Sequence, residues 1–230
     1  MFSVYLRAGL AAGLLAGLLA GAFAFLAGEP LLEEAIRLEE RHAHHHHPEP
    51  FGRTAQKAGL IAATSLYGLA AGGVFGLLSA YLRGRTDLRD GWSRSLILAG
   101  AAFLGTFLLP FLKYPPYPPG VEPAVGVGSR TLYYLAALIL SSLAIFFAWR
   151  LAKRLSDLSR PARHLAAGGF LAGCWALLFF LLPAVPAAGE FPAGLLWDYR
   201  LSVLGTQGVL WAGIGVLFGL LARRAERRVA

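Results

Sequence analysis

Apolar residues along the chain fall into six long runs that are separated by short polar segments. An α-helix needs about 20 residues to cross a hydrocarbon core of about 30 Å, because it rises 1.5 Å per residue. The runs match this length, so they predict an all-α integral membrane protein with one polytopic domain over residues 1–230. The six predicted spans cover about 5–27, 57–82, 95–112, 131–149, 164–183 and 200–222.

The first apolar run follows Arg7 and has the outline of a signal peptide. Its apolar stretch is longer than the roughly 7–15 residues of a typical signal-peptide core. It ends at Gly28-Glu29-Pro30 without a clear small-x-small cleavage motif. We therefore predict that this run is retained as the first transmembrane helix.

Small residues recur with helical spacing in the first two runs, as in "AGLLAGLLAG" and "GLAAGGVFG". A face of Gly and Ala lets two helix backbones approach closely, which favours association where lipid provides no hydrophobic drive. The alternative is that Gly and Ala are simply common in membrane helices. We expect a tightly packed Gly/Ala-rich bundle.

The polar ends of the runs suggest three helical hairpins of the same sense. Each outgoing helix ends at a proline-bearing segment, and each returning helix starts after an arginine, namely Arg53, Arg130 or Arg200. The alternative is that proline ends helices and arginine reaches the interface in any membrane protein. If the repeat is real, these arginines lie at the outer mouth together with the remaining candidate charges, which are Glu29, Lys113, Glu190 and Asp198.

Charge adds an orientation to this picture. Only 15% of the residues are charged, whereas soluble proteins carry about 25%. With the N-terminus inside, fourteen of the 21 Lys and Arg residues lie on the inner side and seven on the outer side. Basic residues accumulate in cytoplasmic loops, so we predict that both termini are cytoplasmic. The net charge of +8 then reflects orientation in the bilayer and not a nucleic-acid partner.

Five of the six histidines lie in the stretch "RHAHHHHPEP". The preceding residues predict a short amphipathic acidic helix, so that residues 28–55 form an external acidic, His-rich segment. Neutral imidazole binds Co, Ni, Cu and Zn, and carboxylates complete the coordination of octahedral ions. The segment therefore predicts a metal-collecting loop, although a passive polar linker is the alternative. The candidate ligands are His42, His44, His45, His46, His47, Glu40 and Glu49.

The spans themselves contain few polar groups. No acid or histidine lies at the middle of an apolar run, and no P-loop, zinc-hydrolase motif or nucleophile elbow occurs. We therefore expect a protein that is not an enzyme and that has no resident cofactor. Thr206 and Gln207 are the candidates for a polar path across the membrane.

Two stretches, "FLKYPPYPPGVEPAVGVGSRTLYY" and "LLWDYRLSVLGTQGVLW", resemble the CbtA family of predicted cobalt transporter subunits. The resemblance extends over essentially the whole chain, and the Lys-Tyr-Pro-Pro segment is its most specific element. Tyr117 departs from the pattern, since members often carry Asn there. The resemblance implies a multi-pass protein of a prokaryotic inner membrane that supplies cobalt for cobalamin. It also implies a small single-span, His-bearing partner subunit.

These observations together predict an inner-membrane subunit of a divalent cobalt transporter. Its outer histidine segment would collect cobalt(II), and the ion would cross the Gly-rich bundle near Thr206 and Gln207. The alternative function is a non-transporting membrane scaffold or accessory subunit that docks with other membrane proteins. Partners would be the lipid bilayer, the partner subunit, further copies of the chain or a larger membrane complex.

Overall fold

The computed structural model describes residues 2–42, 52–85, 90–119, 121–123, 125–185, 187–188 and 191–229. The described chain is mostly helical, and its two strands of two residues each, β1 (Glu122–Pro123) and β2 (Ala187–Ala188), pair antiparallel. Two helical segments have π geometry, Ala24–Gly28 and Leu104–Leu108. The α-helices are α1 (Phe2–Phe23), α2 (Glu29–His42), α3 (Arg53–Leu82), α4 (Gly91–Phe103), α5 (Leu109–Lys113), α6 (Val127–Arg154), α7 (Arg160–Leu181) and α8 (Ala193–Val229).

Six helices in the described part of the chain are long and apolar enough to cross a membrane, which confirms the predicted all-α membrane fold. The six helices overlap the predicted spans but begin earlier, and the fifth ends at Leu181, two residues before the predicted end. The extension is largest for the first helix, which includes α1, the π segment and α2. The six helices are Phe2–Arg41, Arg53–Leu82, Gly91–Lys113, Val127–Arg154, Arg160–Leu181 and Ala193–Arg224.

Contacts between residues divide the chain into two compact units. The first contains Met1–Gly100, Tyr117–Gly120 and Phe191–Ala230, and the second contains Ala101–Pro116 and Val121–Glu190. In the first unit, α1 packs against α3 and α8. In the second unit, α6 packs against α7 and against the π segment Leu104–Leu108.

Glycines bring the backbones of α1 and α3 into direct contact. A Cβ atom added at Gly13 would lie 2.1 Å from the carbonyl oxygen of Gly68, and one added at Gly72 would lie 2.2 Å from that of Gly9. No other residue fits such a position without moving one of the two backbones. The small-residue faces predicted from the sequence are therefore used for close helix packing in this helix pair.

Helix α8 completes the core of the first unit. Its Ile214 side chain is fully buried, and Phe218 packs edge-on against Phe75 with ring centroids 5.1 Å apart. The Ser95 hydroxyl of α4 donates a hydrogen bond of 2.6 Å to the Gly215 carbonyl oxygen of α8. Glycine, serine and aromatic residues thus join this helix to its neighbours.

Both π segments are followed by a proline, and this explains their geometry. Glu29 and Leu109 donate their N–H groups to carbonyl oxygens five residues earlier, and the next residue in each case is Pro30 or Pro110. Proline has no N–H, so Pro110 cannot donate to the carbonyl of Gly105. That carbonyl instead accepts a hydrogen bond of 2.6 Å from the Ser141 hydroxyl.

The π segments also bear on the predicted hairpin repeat. In the outgoing helices of the first two hairpins, the π segment is followed by one residue and then by a proline. The outgoing helix of the third hairpin, α7, ends at Leu181, before Pro183. Proline therefore widens the helix in two hairpins and ends it in the third.

We expect Ser141→Ala to lower the free energy of unfolding by about 1–2 kcal/mol, because it leaves the buried Gly105 carbonyl without its hydroxyl partner. Thermal unfolding of the purified protein in detergent measures the change. Ser142→Ala is the matched control, since it removes the neighbouring hydroxyl without touching this bond. Equal effects of the two substitutions would contradict the assigned role of Ser141.

Candidate functional site

The predicted histidine ligands lie mostly outside the described residues. His42 is the last residue of α2, whereas His44 to His47 and Glu49 fall in the part of the chain that is not described. Glu40 is exposed on α2. Among the described residues, no group of three or more His, Cys, Asp or Glu side chains could hold a metal ion. The metal-collecting loop therefore stays a prediction.

Helix α2 forms an arm that ends at the histidine stretch. At 1.5 Å per residue, the 14-residue helix places His42 about 20 Å from Glu29 along its axis. The helix is amphipathic, as the sequence predicts, and the Ala35 side chain is fully buried. It continues α1 through the π segment instead of starting a separate helix. On its exposed side, Arg37 pairs with Glu34.

Four charged side chains join the start of this arm to the start of α3, and we call them the clasp: Glu29, Glu33, Arg53 and Lys57. Arg53 Nη2 donates a hydrogen bond of 2.5 Å to Glu29 Oε1, and Lys57 pairs with Glu33. The Lys57 ammonium also lies 3.9 Å from Glu29 Oε1. The clasp thus balances two carboxylates with two cations, and it pairs two of the candidate outer-mouth charges, Glu29 and Arg53.

Burial makes Glu29 different from the other members of the clasp. Its side chain is only 7% exposed, whereas that of Glu33 is 50% exposed. A buried carboxylate is tolerated only when it is paired and hydrogen-bonded, because removing it from water costs several kcal/mol. Arg53 is itself held by Gln56, whose side-chain oxygen accepts a bond of 2.5 Å from the second guanidinium nitrogen. This arrangement fixes the arm to α3 at its base.

The Lys-Tyr-Pro-Pro segment joins helix ends within the second unit. Lys113 Nζ donates a hydrogen bond of 2.7 Å to the Phe179 carbonyl oxygen and lies 4.3 Å from the centre of the Phe179 ring. The Tyr114 hydroxyl donates a bond of 2.8 Å to the Pro183 carbonyl oxygen. Burial raises the pKa of the Tyr114 phenol, so the group remains a donor at neutral pH. The segment thereby satisfies carbonyls at the C-terminal end of α7.

The other predicted outer-mouth charges contact different kinds of group. Arg130 donates to the Pro115 carbonyl oxygen at 3.2 Å in the second unit. Arg200 lies 5.3 Å from the centre of the Tyr117 ring in the first unit, so Tyr117 contacts a cation. Asp198 is exposed, and Glu190 lies outside the described residues. Among the described residues, Glu29 and Arg53 of this set are paired, and the ring of charges itself stays a prediction.

The predicted path residues have different environments on α8. The Thr206 hydroxyl donates to the Ser202 carbonyl oxygen at 2.8 Å, whereas Gln207 Oε1 is buried without a hydrogen-bond partner. Trp211 Nε1, one turn further along the helix, is also buried without a partner. Trp211 was not among the predicted site residues. Its position four residues after Gln207 in an apolar run is the signal that places it on the same helix face.

The chain matches a known protein family over nearly its whole length. The family model described as "Probable cobalt transporter subunit (CbtA)" matches residues 2–223. Neither the curated proteins nor the solved structures yielded a match to the chain. The six apolar helices agree with a membrane transport subunit. Because the family model covers nearly the whole sequence, the chain belongs to the CbtA family of probable cobalt transporter subunits.

Proposed function

We propose that this protein is the subunit of a cobalt(II) transporter that collects the ion outside a prokaryotic inner membrane. Membership of the CbtA family supports the transport role and agrees with a protein that is not an enzyme. The excess of Lys and Arg on the side of the termini supports an orientation with both ends in the cytoplasm. In this orientation the arm and the histidine stretch face outward.

The observation that carries the proposal is the helix that runs from Phe2 to the first histidine of the stretch. A spanning helix needs about 20 residues, so the remainder of this helix extends beyond the apolar run. The clasp holds the base of the arm against α3. The histidine stretch therefore begins at the tip of an arm that is fixed to the transmembrane bundle.

The chemistry of the stretch suits collection better than selection. Consecutive histidines cannot all bind one ion, but a run of imidazoles can exchange an ion among its members. Affinity at such sites rises from cobalt through nickel to copper, so the segment gathers borderline ions without choosing cobalt. Imidazole must be neutral to bind a metal, so binding decreases as the pH falls below about 6.5.

Replacing His42, His44, His45, His46 and His47 with serine tests the proposal. We expect cobalt uptake by cells at submicromolar supply to fall about tenfold, with unchanged protein levels, because capture by several ligands is lost. Cobalt titration of the purified protein should show the same loss. His164→Ser is the control, since it removes an exposed histidine at the start of α7. Uptake that is unchanged in the five-histidine variant would refute the collecting role.

A second candidate function is a membrane scaffold that docks with other membrane proteins, and helix α7 favours it. None of its residues is buried, and a Cβ atom added at Gly169 or Gly173 would meet no atom within 4 Å. In the transporter proposal, the same face receives the single-span, His-bearing partner subunit or another copy of the chain. Cobalt flux in vesicles that contain the purified protein and the partner separates the two functions. Absence of flux would favour the scaffold.

A further inference from the structure

Three buried polar side-chain atoms have no hydrogen-bond partner among the described residues, and two of them lie together on α8. They are Gln207 Oε1 and Trp211 Nε1, and the third, Ser79 Oγ, lies on α3. The Trp211 side chain is deeply buried, with only 7% of the residue exposed. Residues four apart lie on one face of a helix, with Cβ atoms about 5–6 Å apart. One unpaired acceptor and one unpaired donor therefore face the same side of α8, near the middle of its apolar stretch.

The hydroxyl groups of Ser202 and Thr206, on the preceding turns of α8, have hydrogen-bond partners, unlike Gln207 Oε1 and Trp211 Nε1. Ser202 donates to the Tyr199 carbonyl oxygen at 2.8 Å, and Thr206 donates to the Ser202 carbonyl oxygen at the same distance. On the same face of α8, the Gly215 carbonyl oxygen accepts the bond from Ser95. A buried polar atom without a partner costs about 1–3 kcal/mol. Two such atoms on one helix turn indicate that a ligand belongs there.

The chemistry of the two atoms limits the ligand. The amide oxygen of Gln207 accepts a hydrogen bond, and the indole N–H of Trp211 donates one. A bare metal ion suits the oxygen but is repelled by the positive end of the N–H dipole, and an anion has the opposite preference. Water satisfies both, because each molecule donates and accepts. We propose that Gln207 and Trp211 form a water-binding site in the middle of α8, through which the transported ion passes with its hydration shell.

At this site the transported ion keeps its waters. No group of three or more His, Cys, Asp or Glu side chains is present among the described residues to replace the waters of a divalent cation. The Gln207 amide oxygen accepts a hydrogen bond from a water that is coordinated to the ion. The Trp211 N–H donates a hydrogen bond to a water of the second hydration shell. The identity of the ion rests on the proposed function, whereas the presence of water at this site does not.

X-ray radiolysis tests the water site without cobalt. It splits bound water into hydroxyl radicals, and these radicals modify the side chains next to the water. With each rate divided by the intrinsic reactivity of its ring toward the radical, we expect Trp211 to be modified several times faster than Phe218, which is similarly buried at 3% exposure. Gln207→Leu removes the acceptor without adding a group that scavenges hydroxyl radicals as methionine would, and it should lower the rate at Trp211 toward that of Phe218. Gly208→Ala is the control, since a Cβ there meets no atom within 4 Å. Equal normalised rates at Trp211 and Phe218 in the wild-type protein would refute the water site.

Passage of the hydrated ion is tested with hexaamminecobalt(III), whose six ligands do not exchange and can donate hydrogen bonds. We expect this complex to inhibit cobalt(II) flux into vesicles that contain the transporter, and Gln207→Met to weaken the inhibition about tenfold. Cobalt(II) flux that is insensitive to the complex would refute passage in hydrated form. Absence of any cobalt(II) flux would instead refute the proposed function, while the radiolysis result would still decide whether water occupies the site.

Discussion

Gly72→Ala will lower the free energy of unfolding by about 3 kcal/mol, although it adds a single methyl group. The new Cβ atom would lie 2.2 Å from the Gly9 carbonyl oxygen and 2.6 Å from the Gly13 Cα atom. Both are backbone atoms, so no side chain can turn away to relieve the overlap. The helices must separate along the contact, and the close packing on either side of Gly72 is lost as well.

Thermal unfolding in detergent and the yield of monodisperse protein measure this effect. Gly169→Ala is the matched control, because it is the same substitution in another transmembrane helix where a Cβ meets no atom within 4 Å. Alanine is favoured over glycine in a helix by about 1 kcal/mol, so the control should leave stability unchanged or raise it. Two variants that lose stability equally would contradict the assigned role of the α1–α3 contact.

The sequence predicted this contact because its cause is local. Gly9, Gly13 and Gly17 are four residues apart, and four residues is nearly one helical turn, so their common face can be read from spacing alone. The number of spans was predictable for the same reason, since bilayer thickness sets the length of an apolar run. Neither prediction required knowledge of which helix lies next to which.

Features that depend on distant partners were not predictable. Arg53, Arg130 and Arg200 occupy similar positions in the sequence, yet they contact a carboxylate, a carbonyl oxygen and an aromatic ring, respectively. Lys113 donates to a carbonyl 66 residues away. A repeated motif therefore predicts that an arginine lies at a helix start, whereas tertiary packing decides its partner.

In the candidate site, too, one residue could be predicted from the sequence and the other could not. Gln207 stood out in the sequence because it is an amide in an apolar run, but Trp211 did not, because tryptophan is common in membrane proteins. Its importance follows from an N–H that is buried without a partner, and burial is a property of the folded chain. The π segments were missed for a related reason, since proline can either widen a helix or end it.

Arg53→Gln is expected to destabilise the protein by about 3–5 kcal/mol, because it removes the main partner of a buried carboxylate. Lys57 lies 3.9 Å from Glu29 and already pairs with Glu33, so the variant leaves one cation for two carboxylates. Salt does little to screen a carboxylate that is 7% exposed, and the loss should therefore persist at high ionic strength. Unfolding in detergent at low and high salt measures both effects.

The double variant Glu29→Gln/Arg53→Gln separates the ion pair from the shape of the two side chains. It removes both charges while keeping side chains that can still form hydrogen bonds, so most of the lost stability should return. Glu34→Gln is the control for a surface pair, since Glu34 and Arg37 are both exposed and such pairs contribute about 0–1 kcal/mol. A double variant as unstable as Arg53→Gln alone would mean that Arg53 stabilises the arm through a contact other than Glu29. In that case the buried carboxylate would not be the group that fixes the histidine-bearing arm to α3.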